Sequence, residues 1–550
     1  MTLNRRQAFA LAGAAAVAGT GQAQAQGPAV FAHGVASGDP LTDRVILWTR
    51  VAGDRALTWQ IAEDAAFAKV AKQGVATSDA ARDGCVKIDV PGLKPGRDYW
   101  YRFECGGTIS PTGRSRTLPK GKTDEAVLAV ATCALYPGGY YTAYRAIADL
   151  ARVDAVVHLG DYIYEYGDDG FGGEIGTKLG RVVQPTHECL TLADYRVRHA
   201  QAKSDPDLQA AHARAPFIVV WDDHEVCNDT WHGGGENHQP ETEGAFADRK
   251  AAALRAYYEW MPIREPSSGD LVTGIERSFR FGDLAELIMV ETRLGARDIP
   301  PDYGTDLMVA GKPDRAAFVA KWNDPARQML GPRQEAWLGR QLKDSVKAGV
   351  TWQLLGNQVV MAHVKMPDLQ AAMTPAAWKA MLDRLPKDIA PQVAQATPIA
   401  RLKLPYNLDA WDGYPAARQR VYDLFKASKA RPIVLAGDSH AHWANDLLDG
   451  VTGERVGAEF GATGITSPGF TDVLGADVPV NQSFVEQNDG VVYTDHGAKG
   501  FVVLTLTHSQ ARAEMMGVST ILKPEAEAAV LKTFTVAPGE KGGVGPVTLA

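Results

Sequence analysis

Apolar and polar positions change rhythm once along the chain. From residue 27 to about residue 118 the apolar runs are short and turn residues return every ten or so positions, the pattern of an all-β sandwich. Val45–Val51, Ala56–Ile61 and Cys85–Val90 read as strands, and another run ends at Phe103. Thr108 to Thr123, carrying Pro111, Gly113, Pro119 and Gly121, reads as a linker. Beyond it, Val- and Ile-rich runs of 6 to 8 residues alternate with helix-like stretches such as Tyr140–Arg152 and Asp248–Trp260. Buried strands interleaved with helices predict an α/β layered domain over residues 122–520. The remaining tail, residues 521–550, predicts a helix over Lys523–Lys532, then a glycine-rich coil or edge strand.

The apolar runs of the α/β region end alike, in residues that carry chemistry. Glu125–Thr132 leads into Cys133, Val153–Gly160 into Asp161 and Tyr164, and Phe217–Trp221 into Asp222, Asp223, His224 and Glu225, with Asn228 beyond. Thr351–Gly356 leads into Asn357, and Pro432–Gly437 into Asp438 and His440. In α/β sheets the C-terminal strand edge is where ligands bind. One Asp after a strand is often a turn or a helix cap. Five such endings with Cys, Tyr, Asp, Asn and His point to a metal centre.

The donor types narrow the metals. A Cys133 thiolate and a Tyr164 phenolate suit a transition ion such as iron(III), whereas Asp161, Asp223 and Asp438 are hard oxygen donors for further divalent ions. Neighbouring ions can clamp the attacking and leaving oxygens of an in-line displacement at phosphorus. Arg145, on the helix after the Cys133 loop, is a candidate to hold phosphate oxygens, and His224 to protonate the leaving group. There is no Gly-x-Ser-x-Gly nucleophile elbow, since Ser467 precedes Pro468 and Gly469. Blander roles suit other polar residues. His158 reads as a buried support, Trp231 to Gln239 as a solvated loop, and Arg293 as a partner of a ligand carboxylate.

Composition adds exclusions. The chain has 550 residues, 45% hydrophobic and 22% charged, which excludes a disordered, collagenous or coiled-coil rod. A net charge of −8 provides no general field for nucleic acid or an anionic membrane. The first 25 residues read as a signal peptide: Arg5 and Arg6, a mild apolar run from Leu11 to Gly21, then Ala23-Gln24-Ala25. The paired arginines predict the twin-arginine export machinery as a partner and a periplasmic or secreted destination. No later run reaches 18 uninterrupted apolar residues, so stable membrane insertion is not expected.

Several of these motifs together resemble the PhoD-like alkaline phosphatase family. They are Ala131 to Cys133, Gly139 to Arg145, His158 to Tyr166, Trp221 to Glu225, Trp411 to Pro415, and Gly437 to His440. The resemblance runs from about His33 to about residue 510. It implies a two-sheet calcineurin-like metallophosphatase sandwich flanked by helices, preceded by a fibronectin type III-like β-sandwich. Leu93, Pro95, Gly96 and Tyr99 resemble that module's tyrosine corner. It further implies Fe(3+) with two Ca(2+), and hydrolysis of phosphate mono- and diesters at alkaline pH through a metal-bound hydroxide. By resemblance, Cys133, Asp161, Tyr164 and His440 form the iron side, with Asp161 bridging. Asp223, Asp438, Asn228 and Asn357 serve calcium, the two asparagines being equally able to hydrogen-bond the ligands, and Arg145 contacts phosphate.

Setting Cys133 aside as a ligand leaves four cysteines, for which two disulfides, 85–105 and 189–227, compete with four buried thiols. Within the same chemistry the alternative is a phospholipase D-like phosphodiesterase acting on phospholipid headgroups. A binding module would not need this donor set, and an iron oxidoreductase would show a two-His-one-carboxylate triad.

Overall fold

A computed structural model of the chain describes residues 30–309, 312–387 and 389–550. The expected leader, residues 1–25, lies outside the described residues.

The Val- and Ile-rich runs form two sheets because they are apolar on both faces. Glu125–Ala131, Ala155–His158 and Phe217–Val219 pair in parallel at the centre of a 10-stranded sheet. Ala285–Met289, Trp352–Gly356, Pro432–Ala436 and Arg455–Gly461 run parallel within a 7-stranded sheet. Successive side chains of a strand face opposite ways, and the second sheet shows it. Leu287, Leu354, Ile433 and Leu435 pack towards the first sheet in one core. Ile288, Leu355, Val434 and Ala436 pack in another core with Leu338 and Leu342 of helix Gly331–Lys347 and Val421 and Phe425 of helix Pro415–Ser428. Helices Thr142–Ala148, Leu192–Lys203, Pro206–Arg214 and Phe246–Trp260 contribute buried side chains to the first core. Each large side chain buried there is worth about 1.5–3 kcal/mol. The result is the expected layered sandwich of two sheets with flanking helices.

The amino-terminal sandwich is present but shares a sheet with its neighbour. Strands Ala56–Ala62 and Asp98–Cys105 lie in a separate 5-stranded sheet. Opposite them Val35–Gly38, Arg44–Arg50 and Cys85–Pro91 continue the large sheet, where Gly38 pairs with Phe217. Side chains from both faces, including Leu47, Val90, Ile61 and Tyr101, form one core. The Tyr99 hydroxyl accepts the backbone N–H of Lys94 at 2.8 Å, closing the anticipated corner.

Three expectations are corrected. Part of the expected linker is strand: Gly113–Arg116 pairs with Asp98–Tyr101. The expected carboxy-terminal helix is the strand Ala528–Val536, paired with Ala511–Val518. Charges at Lys523, Glu525, Glu527 and Lys532 mimic a helical face, but Phe534 and Val536 bury two apart, and Thr548–Leu549 pairs beyond them at the sheet edge. The proposed disulfides do not form, and all five cysteines are free and buried. Cys85 packs with Trp48 and Trp260, Cys105 in the sandwich core, and the Cys227 thiol contacts the Thr230 hydroxyl at 3.3 Å.

Candidate metal centre

Parallel pairing puts the ends of the central strands on one edge, and the turns leaving them are tight. Cys133 (φ 57°), Asp161 (φ 54°), Asp438 (φ 62°) and His440 (φ 56°) are four of the ten non-glycine residues with positive φ among the described residues. Such strain persists where surrounding structure over-determines it, and it gathers at functional sites. Two glycines make the approach possible. A Cβ on Gly160 would meet the Asp222 backbone nitrogen at 2.3 Å, and one on Gly437 would meet the Thr132 hydroxyl at 2.4 Å. The second contact joins the two sheets beside the site.

The turns bring together three groups of ligand-type side chains, the donor atoms of each within 4.8 Å of one another. Cys133, Asp161 and His440 form one, Asp161, Asp223 and His224 the next, and Asp222, Asp223 and Asp438 the third. Asp161 and Asp223 each belong to two groups, so the three form a chain. The Tyr164 hydroxyl lies 3.0 Å from Asp161 Oδ2 and 3.3 Å from His440 Nε2, which adds it to the first group.

Charge is unbalanced here. Asp161, Asp222, Asp223, Asp438, Glu165 and Glu225 are all buried, against the Arg293 guanidinium and the His224 imidazole. Burial pushes the Asp161 carboxyl well above the usual range; His224 opposes the shift, while Asp223, Glu225 and Asp438 add to it. Asp222 is likewise pushed up by burial, with Arg293 opposing. For His224 burial disfavours the cation, but Asp223, Glu165 and Asp161 outweigh it and hold the imidazole protonated well above its ordinary range. Burial, reinforced by Asp161, pushes the Cys133 thiol and the Tyr164 hydroxyl up. A bound cation reverses that preference, because coordination favours the deprotonated donor. One buried oxygen each of Asp161 and Asp222, and Asn228 Oδ1, also lack hydrogen-bond donors. Soft and hard donors, orphaned oxygens and surplus negative charge all fit metal ions.

Supporting residues hold this edge in shape. The Glu225 carboxylate accepts the backbone N–H groups of Asp161 at 3.0 Å, Tyr162 at 2.6 Å and Asp222 at 2.6 Å. Glu165 contacts His224 Nδ1 at 2.7 Å, and it accepts the Asn228 backbone N–H at 2.8 Å and Asn237 Nδ2 at 2.7 Å. Arg293 pairs with Asp222 and reaches Asp223 at 3.3 Å, Asp438 at 3.0 Å and Asp409 at 2.5 Å. Its reading as a partner of ligand carboxylates fits this geometry.

The structure gathers Cys133, Asp161, Tyr164, Asp223, His224, Asp438 and His440, with Asn228 anchored alongside through Glu165. Asn357 is engaged otherwise: its Oδ1 accepts Trp411 Nε1 at 2.9 Å, and its Nδ2 donates to the Val359 carbonyl. Arg145 is not brought to the acids. It lies half-exposed and pairs with Asp207 at 2.9 Å, because its helix turns that face outwards; the guanidinium among the carboxylates is that of Arg293. The loop Trp231 to Gln239 is not simply solvated, since Asn237 and His238 are buried and Asn237 reaches Glu165. Sequence reading did not single out Asp222, a member of the third donor group, or the supporting contacts of Glu165 and Glu225. The available signal was three acids within four residues after a buried run.

The fold and this edge define a two-sheet phosphoesterase preceded by a β module. Residues 128–515 match the family model of PhoD-like phosphatase, and residues 14–119 match its N-terminal domain. The chain belongs to the PhoD-like phosphatase family. It is 34% identical over 533 residues to alkaline phosphatase D of Bacillus subtilis (strain 168), covering 93% of this chain and 82% of that protein. A solved structure of PhoD matches with a TM-score of 0.76 at 32% identity, over 96% of this chain and 93% of that one. The chain is therefore a phosphoric ester hydrolase. Among the described residues no helix is long and apolar enough to cross a membrane.

Proposed function

We propose that this protein is an exported, metal-dependent phosphatase that hydrolyses phosphate mono- and diesters at alkaline pH. The observation that carries the reading is the chain of three donor groups linked by Asp161 and Asp223. Cys133, Tyr164, Asp161 and His440 would hold Fe(3+), while Asp223, Asp222, Asp438 and Asn228 would hold two Ca(2+). When bound, such ions supply Lewis-acid polarisation of phosphoryl oxygens and activation of water.

The protein's own residues do the rest. Glu165 fixes the His224 ring through Nδ1, which leaves Nε2 free to give a proton to the departing alkoxide. Glu225 holds the backbone on both sides of Asp161 and at Asp222, and Arg293 keeps Asp222, Asp223 and Asp438 in register. Preorganisation of this kind avoids reorganisation at the moment of reaction. Arg5 and Arg6 support export by the twin-arginine route.

The test pairs metal analysis with the visible spectrum and with turnover of p-nitrophenyl phosphate and bis(p-nitrophenyl) phosphate. Iron near one per chain, calcium, and an absorption band lost in Tyr164→Phe support the reading. Zinc or calcium alone, with no visible band, removes Cys133 and Tyr164 as iron ligands.

A further inference from the structure

A cavity of about 170 Å³ opens beside the metal centre, and its lining includes Ser439 and His440. The His440 ring belongs to both places. Its Nε2 lies 3.3 Å from the Tyr164 hydroxyl, and its Nδ1 is 2.9 Å from the Pro468 carbonyl, itself part of the cavity wall. Helices Pro375–Arg384 and Ile389–Arg401 supply Trp378 and Val393 to the lining. Phe470–Leu474 and Val480–Gln487 supply Leu474 and Phe484. Tyr406 stands against Phe484 with ring centroids 5.1 Å apart. Among the described residues lining the cavity there is no Asp, Glu, Lys or Arg.

We propose that this cavity receives the alcohol part of the substrate, and that the enzyme prefers phosphate esters of small apolar alcohols over esters of polyols. The inference rests on the phosphatase reading, which places phosphorus at the donor groups and leaves the alcohol to point somewhere. At the His440 edge the adjoining cavity wall is mostly hydrocarbon, with Thr397, Tyr406, Asn407, Ser439 and His440 as its polar side chains. Cavities of roughly 150 Å³ lined by such side chains hold a benzene ring. The space therefore fits one ring or a short chain, and not the paired acyl chains of a phospholipid. A glycerol or sugar hydroxyl directed at the hydrocarbon wall would lose water without a replacement partner, whereas each buried methylene is favourable.

The test is a series of n-alkyl phosphates from ethyl to octyl, whose alcohols differ little in acidity and so isolate binding from leaving-group chemistry. The metal-loaded enzyme is expected to show kcat/KM rising roughly three- to fourfold per methylene, levelling off near hexyl. Val393→Lys should abolish the rise; Val393→Gln, a milder change, should reduce it, and thermal unfolding of each reports whether it folds. A flat series with ethyl phosphate still hydrolysed overturns the inference and leaves the phosphatase reading intact. A rise that persists in folded variants of Val393 also overturns it. If no ester is hydrolysed the phosphatase reading fails, and calorimetric binding of ethyl- and hexylphosphonate then decides for the cavity. Tighter hexylphosphonate binding supports the cavity, and equal binding overturns it.

Discussion

Two clusters of buried ionisable groups lie beside the same strand, Ala155–His158, and they answer burial in opposite ways. Past the strand end are Asp161, Asp222, Asp223 and Asp438, with Cys133 and His440. Among the helices covering the sheet are His158, His199, His212 and Lys203, with Tyr144 and Tyr162. In this second cluster Tyr144 meets His158 at 2.6 Å, Tyr162 meets His212 at 2.8 Å, and Lys203 meets His212 at 3.1 Å. No carboxylate is among these contacts. Burial, with Lys203 nearby, brings His158 and His199 down to about 3. Lys203 itself comes down to about 7, again through burial. The basic cluster becomes neutral by losing protons. The acidic cluster keeps six carboxyl groups around Arg293 and His224, and one oxygen each of Asp161 and Asp222 accepts no hydrogen bond. Burial drives protons off the basic cluster and onto Asp161 and Asp222 in the acidic one, where the donor set also fits cations.

The sharpest break of this comparison is Asp161→Ala, which removes a donor shared by two groups. Turnover of p-nitrophenyl phosphate should fall by at least roughly 10³-fold, about 4 kcal/mol of barrier, with metal content falling in parallel by plasma mass spectrometry. Retained metal with lost turnover would show that Asp161 acts on substrate and not on the ions.

Arg293→Met should destabilise the metal-free protein by about 3–5 kcal/mol, because it leaves buried carboxylates without their guanidinium. Added divalent ions should recover part of that loss in chemical denaturation. Recovery by monovalent salt alone would point to general screening.

Lys203→Met probes the neutral cluster. The folded lysine titrates near 7 and the unfolded one near 10.5. Between those values the unfolded chain binds the proton that the folded chain lacks, so stability rises with pH across that window. The variant should lose that rise, on the order of 2–4 kcal/mol, and gain stability at neutral pH. Unfolding midpoints from pH 7 to 10 read it directly; an unchanged slope would mean that Lys203 is solvated. Tyr144→Phe should have the smallest effect, about 1 kcal/mol for one hydrogen bond to His158. Metal content should not change, and any change would show that the two clusters are coupled.

Much of the catalytic edge was legible along the chain because each strand and its terminal donor lie within about ten residues. Glu125 to Cys133 and Pro432 to His440 carry both the apolar run and the chemistry. The tyrosine corner is equally local, spanning Lys94 to Tyr99. Contacts were illegible where a residue's partner is distant. Arg145 follows a ligand loop closely, yet its helix turns it towards Asp207, 62 residues away. Asn357 ends a strand as the other donors do, but Trp411 takes its carbonyl oxygen. The tail's charges suggested a helix, and the open edge at Ala511–Val518 made it a strand.

Sequence alone determined which segments would be buried strands, which residues would stand at their ends, and that hard and soft donors would occur together. These properties arise from side-chain periodicity and donor chemistry, which act over a few residues. Tertiary structure decided that Gly437 would close on Thr132, that Asp161 and Asp223 would each serve two groups, and that Arg293 would sit among the acids. It also joined the amino-terminal sandwich to the large sheet through Gly38 and Phe217, and left all five cysteines as free, buried thiols. Those outcomes depend on how two sheets pack face to face, which brings together residues separated by up to several hundred positions and leaves no local trace of the pairing.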